Sequence, residues 1–185
     1  MNDANAVING ILGGWEVSGI TTVQSGEAVT AVWSNDLSFT GSFSYRPDQI
    51  HNPNDFSFNT ASQGTDFGCS NPGHQTLDCW FNQAAFAAPA LADGQQAAHQ
   101  FGNSRIGNLR GPDLVNFDFA LQKNFKLYES HQLEFRAEFF NLFNHPNFGL
   151  PGGGSQIAVD VPGGAAITNT ANDNRQIEFA LKYTF

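Results

Sequence analysis

The residues best equipped for chemistry are five histidines: His51, His74, His99, His131 and His145. A metal centre gathers imidazoles at short, regular spacing or in a tight Cys/His cluster. These five are scattered along the chain, so they read as surface or loop residues. Glu134 and Glu138 flank Arg136, and a general acid/base pair needs two carboxyls whose environments push their pKa values apart. Nothing local does that here. A ladder of charges along one side of a strand is the plainer account. Gly152-Gly-Gly154 follows no legible strand and precedes no helix, so it makes no phosphate cradle. Asp160 and the pair Asp173-Asn174 lack the spacing of a calcium loop. No catalytic set, metal site or cofactor motif emerges, and the expectation is a protein that is not an enzyme.

Cys69 and Cys79 are the only two cysteines. They lie close together in a Gly/Asn/Pro-rich region, which fits a local disulfide in an oxidising compartment. Two free thiols, or part of a metal site, are the alternatives.

The elements that must carry these residues are strands. The chain has 185 residues, 41% of them hydrophobic and only 14% charged, with 19 Gly and 18 Phe. The charged share in ordinary soluble domains is roughly 25%. Composition of this kind points away from a helical bundle. No apolar run approaches the roughly 20 residues of a membrane helix, and no basic-then-apolar leader opens the chain. The formal charge of −9 excludes a basic stripe for nucleic acid. The acidity is concentrated in residues 1–100, where nine acids face the single base Arg46.

The clearest element is the last. Ile177, Phe179, Leu181, Tyr183 and Phe185 alternate with Glu178, Ala180, Lys182 and Thr184. Period-two alternation marks a strand with one apolar and one mostly polar face. An aromatic at the terminus suits a strand held between neighbours, as in a closed barrel; the last strand of a soluble sandwich is the competing reading. The same alternation predicts strands over 15–23, 28–33, 114–125 and 132–143. The first two are joined by a tight turn in which Gly26 is free to take a positive φ. Residues 34–113 read mostly as loop, with an arm at Leu37–Tyr45 and a short helix at Trp80–Phe86. Residues 144–174 form a second long loop.

Outer-membrane barrels have short periplasmic turns and long outer loops. With residues 175–185 descending, the loops 144–174 and 34–113 fall outside, and the turns after Phe125 and at Gly26 fall in the periplasm. Phenylalanine-bearing faces then meet lipid. Asp118, Glu134, Arg136, Glu138, Glu178 and Lys182 point into the lumen, where water and opposite charge satisfy them. The fold expected is all-β: antiparallel up-and-down strands making a partial arc of a large outer-membrane β-barrel. Five strands are fewer than the roughly eight of the smallest such barrels.

Several segments resemble TonB-dependent receptors of the acidobacterial, Oar-like type, which carry a carboxypeptidase-regulatory-like domain at the front. They are Gly13-Gly-Trp-Glu-Val-Ser-Gly-Ile20, Gln24-Ser-Gly26, Trp80–Phe86, Phe101-Gly-Asn through Leu109-Arg-Gly-Pro112, Asn116-Phe-Asp118, Lys123-Asn-Phe125, Phe135–Phe148 and Ile167–Asp173, followed by Arg175–Leu181. The resemblance implies the C-terminal barrel part of a receptor taking up a siderophore, cobalamin or a saccharide, with no cofactor. Its implied partners are outer-membrane lipid, the barrel-assembly machinery, the remainder of the barrel with its plug domain, and TonB through the N-terminal part. Plug, TonB-contact segment, signal peptide and regulatory-like domain have no counterpart in these residues. The terminal set Ile177, Phe179, Leu181, Tyr183 and Phe185 resembles the barrel-assembly signal. The residues do not name a ligand. A secreted soluble β-domain, binding glycans through 34–113, is the reading of another class.

Overall fold

The computed structural model describes residues 8, 10–35, 41, 45–58, 73–89 and 101–185. The strands are β1 (Trp15–Gln24), β2 (Ala28–Val32), β3 (Asp48–Gln49), β4 (Phe86–Ala87), β5 (Leu109–Arg110), β6 (Leu114–Tyr128), β7 (His131–Phe140), β8 (Gln156–Ala158) and β9 (Gln176–Thr184). They fall in two units. The first comprises Met1–Gln24, Leu114–Asn147 and Asn172–Phe185; the second comprises Ser25–Asp113 and Phe148–Ala171.

The first unit is one antiparallel sheet in the order β1-β6-β7-β9. Residues directly opposite each other in a ladder share a face. Val17 therefore sits with Leu121, Phe119 with Phe139, and Ala137 with Phe179. On the reverse face Ser18 meets Ala120, Gln122 meets Arg136, and Glu134 meets Lys182. One side of the sheet is thus apolar and aromatic, the other mainly polar. β1 and β7 have 10 residues and β9 has 9. A tilted strand needs roughly 9–11 to cross the hydrocarbon of a bilayer.

The apolar side is open. Val17 is 61% exposed, Phe179 70% and Leu181 68%. Covering one such side chain is worth about 1.5–3 kcal/mol, so a row of them left bare demands an apolar partner. A sandwich supplies that partner from a second sheet; this unit, among its described residues, is a single sheet. The sheet does not close either, because β1 and β9 are edges with no further strand among the described residues.

Connections follow the alternation expected, with one correction. Tyr128 and His131 are joined by two residues, and Glu129 takes φ 49° in that turn. Residues 25–113 and 141–175 both leave from the opposite end, at Gln24/Leu114 and Phe140/Gln176. The expected hairpin between 15–23 and 28–33 does not form. β1 pairs instead with β6 along its whole length, and β2 pairs with β5 and, in parallel, with β8. The sheet therefore has four strands, not five, and Gly26 falls in the long connection that follows β1 rather than in a hairpin turn.

Gly26 also has a different reason to be glycine. Its φ is not positive; the Gly111 carbonyl occupies the space a Cβ would need. Its N–H donates to Asp113 Oδ1 at 2.8 Å. Adjacent Gln-Ser-Gly-Glu between two strand patterns reads as a hairpin turn, and local spacing carries no record of so distant a partner.

In the second unit the described part of 34–113 is mostly irregular, as expected, with β3, β4, β5 and one 3-10 turn as its regular elements, yet part of it is packed into a core. Val29, Ala31, Phe81, Phe86, Leu109, Ile157 and Val159 belong to a buried core, around the three-stranded sheet β5-β2-β8. The short helix expected at Trp80–Phe86 is a 3-10 turn over Gln83–Ala85. Asn82 caps it, accepting from Ala84 N. Gln83 is buried, and its Nε2 donates to the carbonyls of Val159 and Val161 at 3.0 and 2.9 Å. Most of the expected arm at Leu37–Tyr45 lies outside the described residues. Its last residue, Tyr45, bridges Trp33.

Candidate functional site

Sequence alternation places the six expected lumen charges on the polar side of the four-stranded sheet, and register decides which of them meet. Glu134 lies opposite Lys182, and Glu138 lies opposite Glu178. Arg136 sits between its strand neighbours, 3.2 Å from Glu134 and 3.7 Å from Glu138. β7 and β9 thus bring five of the six together. The ion pairs are partly exposed, a setting in which such pairs contribute ~0–1 kcal/mol. Two carboxylates at directly opposed positions repel each other, and Arg136 on the neighbouring rung offsets that.

Asp118 stands apart on β6, toward the end with the long connections. Its Oδ1 accepts from Asn116 Nδ2 at 2.8 Å and from the Asn141 N–H at 2.9 Å. Asn141 is the residue that the alternation pattern passes over. It follows β7 with φ 49° and is buried. Its Nδ2 donates to the carbonyls of His145 and Asp173, and its Oδ1 accepts from the His145 N–H. This one residue therefore ties three segments together, its backbone N–H reaching β6 and its side chain joining the corner at His145 to Asp173. The signal available in sequence was an Asn directly after an alternating run, since Asn tolerates left-handed backbone and satisfies turns.

Two cavities open beside this knot. One, of about 350 Å³, is lined by residues of β1, β6 and β7, including Ser18, Ile20 and Glu138. The other, of about 250 Å³, is lined by Asn116, Asn141, Gln176 and the 172–174 segment. Asp118 and Phe140 line both.

On the apolar side, the terminal set is placed as the alternation requires. Ile177, Phe179, Leu181 and Tyr183 share the outward row of β9, and Phe185 follows it, all of them exposed. The rows are aromatic ladders: Phe135 stacks on Phe179 at 6.3 Å and Tyr183 on Phe185 at 6.0 Å. The Tyr183 hydroxyl and His131 Nδ1 are 2.6 Å apart, with the rings stacked. His131 is thus a partner of the terminal strand, a role its isolation in sequence gave no hint of. Of the cysteines, Cys79 is disulfide-bonded; Cys69 lies outside the described residues.

A sheet with one hydrocarbon-like side, one charged side and transmembrane strand lengths is a wall of a membrane barrel. A family model for an outer membrane beta barrel domain matches residues 1–178. The chain belongs to that family and is a protein of the outer membrane, and its sheet is a partial arc of such a barrel. No curated protein and no solved structure matches it.

Proposed function

We propose that this chain is the C-terminal arc of a TonB-dependent outer-membrane receptor that takes up a scarce nutrient, of the siderophore, cobalamin or saccharide class. The supporting observation is the two-faced, four-stranded sheet with both long connections at one end and the two-residue turn at the other. Long loops of such barrels face outward and short turns face the periplasm, so the Gln24/Leu114 end is the outer one. The charged face, with Asp118, Glu134, Arg136, Glu138, Glu178 and Lys182, then lines the lumen, and the phenylalanine rows meet lipid. The remaining strands and the plug come from the rest of the polypeptide, which also reaches TonB. Ile177, Phe179, Leu181, Tyr183 and Phe185 act as the signal read by the barrel-assembly machinery. The role is transport, with no chemistry performed on the cargo.

Placement in the outer membrane leaves the soluble glycan-binding domain without support, and no observation favours it. The transporter reading is tested in the native cell by deleting TonB and measuring growth on limiting iron chelate, cobalamin or oligosaccharide. The expected result is the same growth defect as deletion of this gene, on one of the three nutrients. A gene deletion whose defect persists unchanged without TonB, as an additive second loss, refutes it.

A further inference from the structure

The two cavities beside Asp118 belong to one wall, and their lining is chemically selective. In the smaller, side-chain amides predominate: Asn116, Asn172, Asn174 and Gln176 accompany Asp118 and Asp173. Each amide offers donors and an acceptor in one plane. A polyhydroxylated ring needs that mixture, because every hydroxyl both gives and takes a hydrogen bond. Phe140 stands at the junction, 40% exposed, and lines both cavities. Its flat apolar face suits the C–H surface of a sugar ring, while Ile20 extends the apolar floor into the larger cavity.

Asn116 lines the smaller cavity with its side chain fixed in place, Nδ2 donating to Asp118 Oδ1 at 2.8 Å. A bare divalent cation fits less well. Asp118 Oδ1 is already occupied by two donors, calcium asks for six to eight oxygens, and neither the amide N–H groups nor the phenyl ring serves it. An apolar ligand would strand the amides.

We infer that the outer part of this wall is a saccharide subsite. Phe140 is the platform for one sugar ring of a neutral oligosaccharide, and Asn116 with the 172–174 segment reads its hydroxyls. The inference rests on the transporter reading in that it places this face in the lumen, and it selects one of the three nutrient classes.

The test uses the full-length receptor in outer membranes, with cellohexaose, xylohexaose and maltohexaose as probes in equilibrium binding. Variants are Phe140→Leu and Asn116→Leu, with Gln132→Ala as a control on the same face but outside both cavities. Barrel folding is checked by heat-modifiable mobility. One hexaose is expected to bind, with Kd raised about tenfold in each cavity variant and unchanged in the control. Should Phe140→Leu fail to fold, Phe140→Tyr is expected to retain binding, and Asn116→Leu still to lose it. Binding of none of the three, binding indifferent to both cavity variants, or calcium as the only ligand displaced by them overturns the subsite. Oligosaccharide binding and uptake that survive deletion of TonB would leave the subsite standing and overturn the transporter reading instead.

Discussion

Lys123 and Trp15 face each other across the β1–β6 ladder, with the ammonium 4.9 Å from the indole centroid. This pair lies on the apolar side of the sheet, where alternation calls for a hydrophobic residue. The charge is accommodated because its surroundings are built for it. Phe125 lies at the same distance, 4.9 Å, and Nζ donates to the Ile11 carbonyl at 2.6 Å. The Trp15 indole N–H donates to that same carbonyl at 3.0 Å. Lys123 is 2% exposed, so its stem packs while its head is hydrogen-bonded and flanked by two rings.

Replacing Lys123 with Met keeps the stem and removes the cation. The N-terminal turn loses its tether, and Trp15 loses its neighbour. The expected cost is about 1–3 kcal/mol, read as a lower midpoint of urea unfolding in lipid vesicles, followed by tryptophan emission. A midpoint equal to wild type would show that the tether carries no weight.

Asn141→Ala removes two side-chain donors and an acceptor and puts a Cβ residue ill-suited to φ 49° at a tight corner. A loss of about 2–3 kcal/mol is expected. Asn141→Gly tolerates the backbone angle and recovers part of it. Equal stability of the two variants would show that the hydrogen bonds alone hold the corner.

Arg136→Gln is expected to behave differently. Its ion pairs with Glu134 and Glu138 are exposed, so stability changes by less than about 1 kcal/mol. The electrical consequence is larger, because Glu134, Glu138 and Glu178 lose the cation between them. In planar bilayers, the full-length protein carrying the variant should shift selectivity toward cations. An unchanged reversal potential would place this face away from the ion path.

The Asp55 carboxyl is held below the usual carboxylate range, first by the Ser57 side-chain hydroxyl and then by the Ser57 backbone N–H at 2.9 Å. A depressed folded-state pKa means the turn is stabilised at pH above the unfolded value of about 3.9 and loosens as pH falls through the folded one. The Ser57 amide should therefore exchange with solvent faster at pH 2 than at pH 5, after correction for intrinsic exchange. Asp55→Asn should flatten that difference. A pH effect that survives the substitution would assign it to another group.

The sheet was legible because burial on opposite sides of a strand writes itself into every second residue. The alternations at 114–125, 132–139 and 177–185 needed no tertiary information. The pairing of β1 was not legible, since its partner lies far along the chain while a turn-like Gln-Ser-Gly sits next to it. The core of the second unit escaped for a related reason. Val29 and Ala31 pack with Phe81, Leu109 and Ile157, each from a short strand or loop too brief to show a period. At the candidate site, the charges were readable from alternation, whereas Asn116, Asn141 and the 172–174 segment converge only through the corner after Phe140.

The bare margins of the sheet have a practical corollary. Among the described residues no strand pairs with the outer edge of β1 or of β9, and such an edge beside greasy flanks is the template on which like strands stack without limit. Outside a membrane this polypeptide should therefore accumulate as insoluble ribbons, edge zipped to edge.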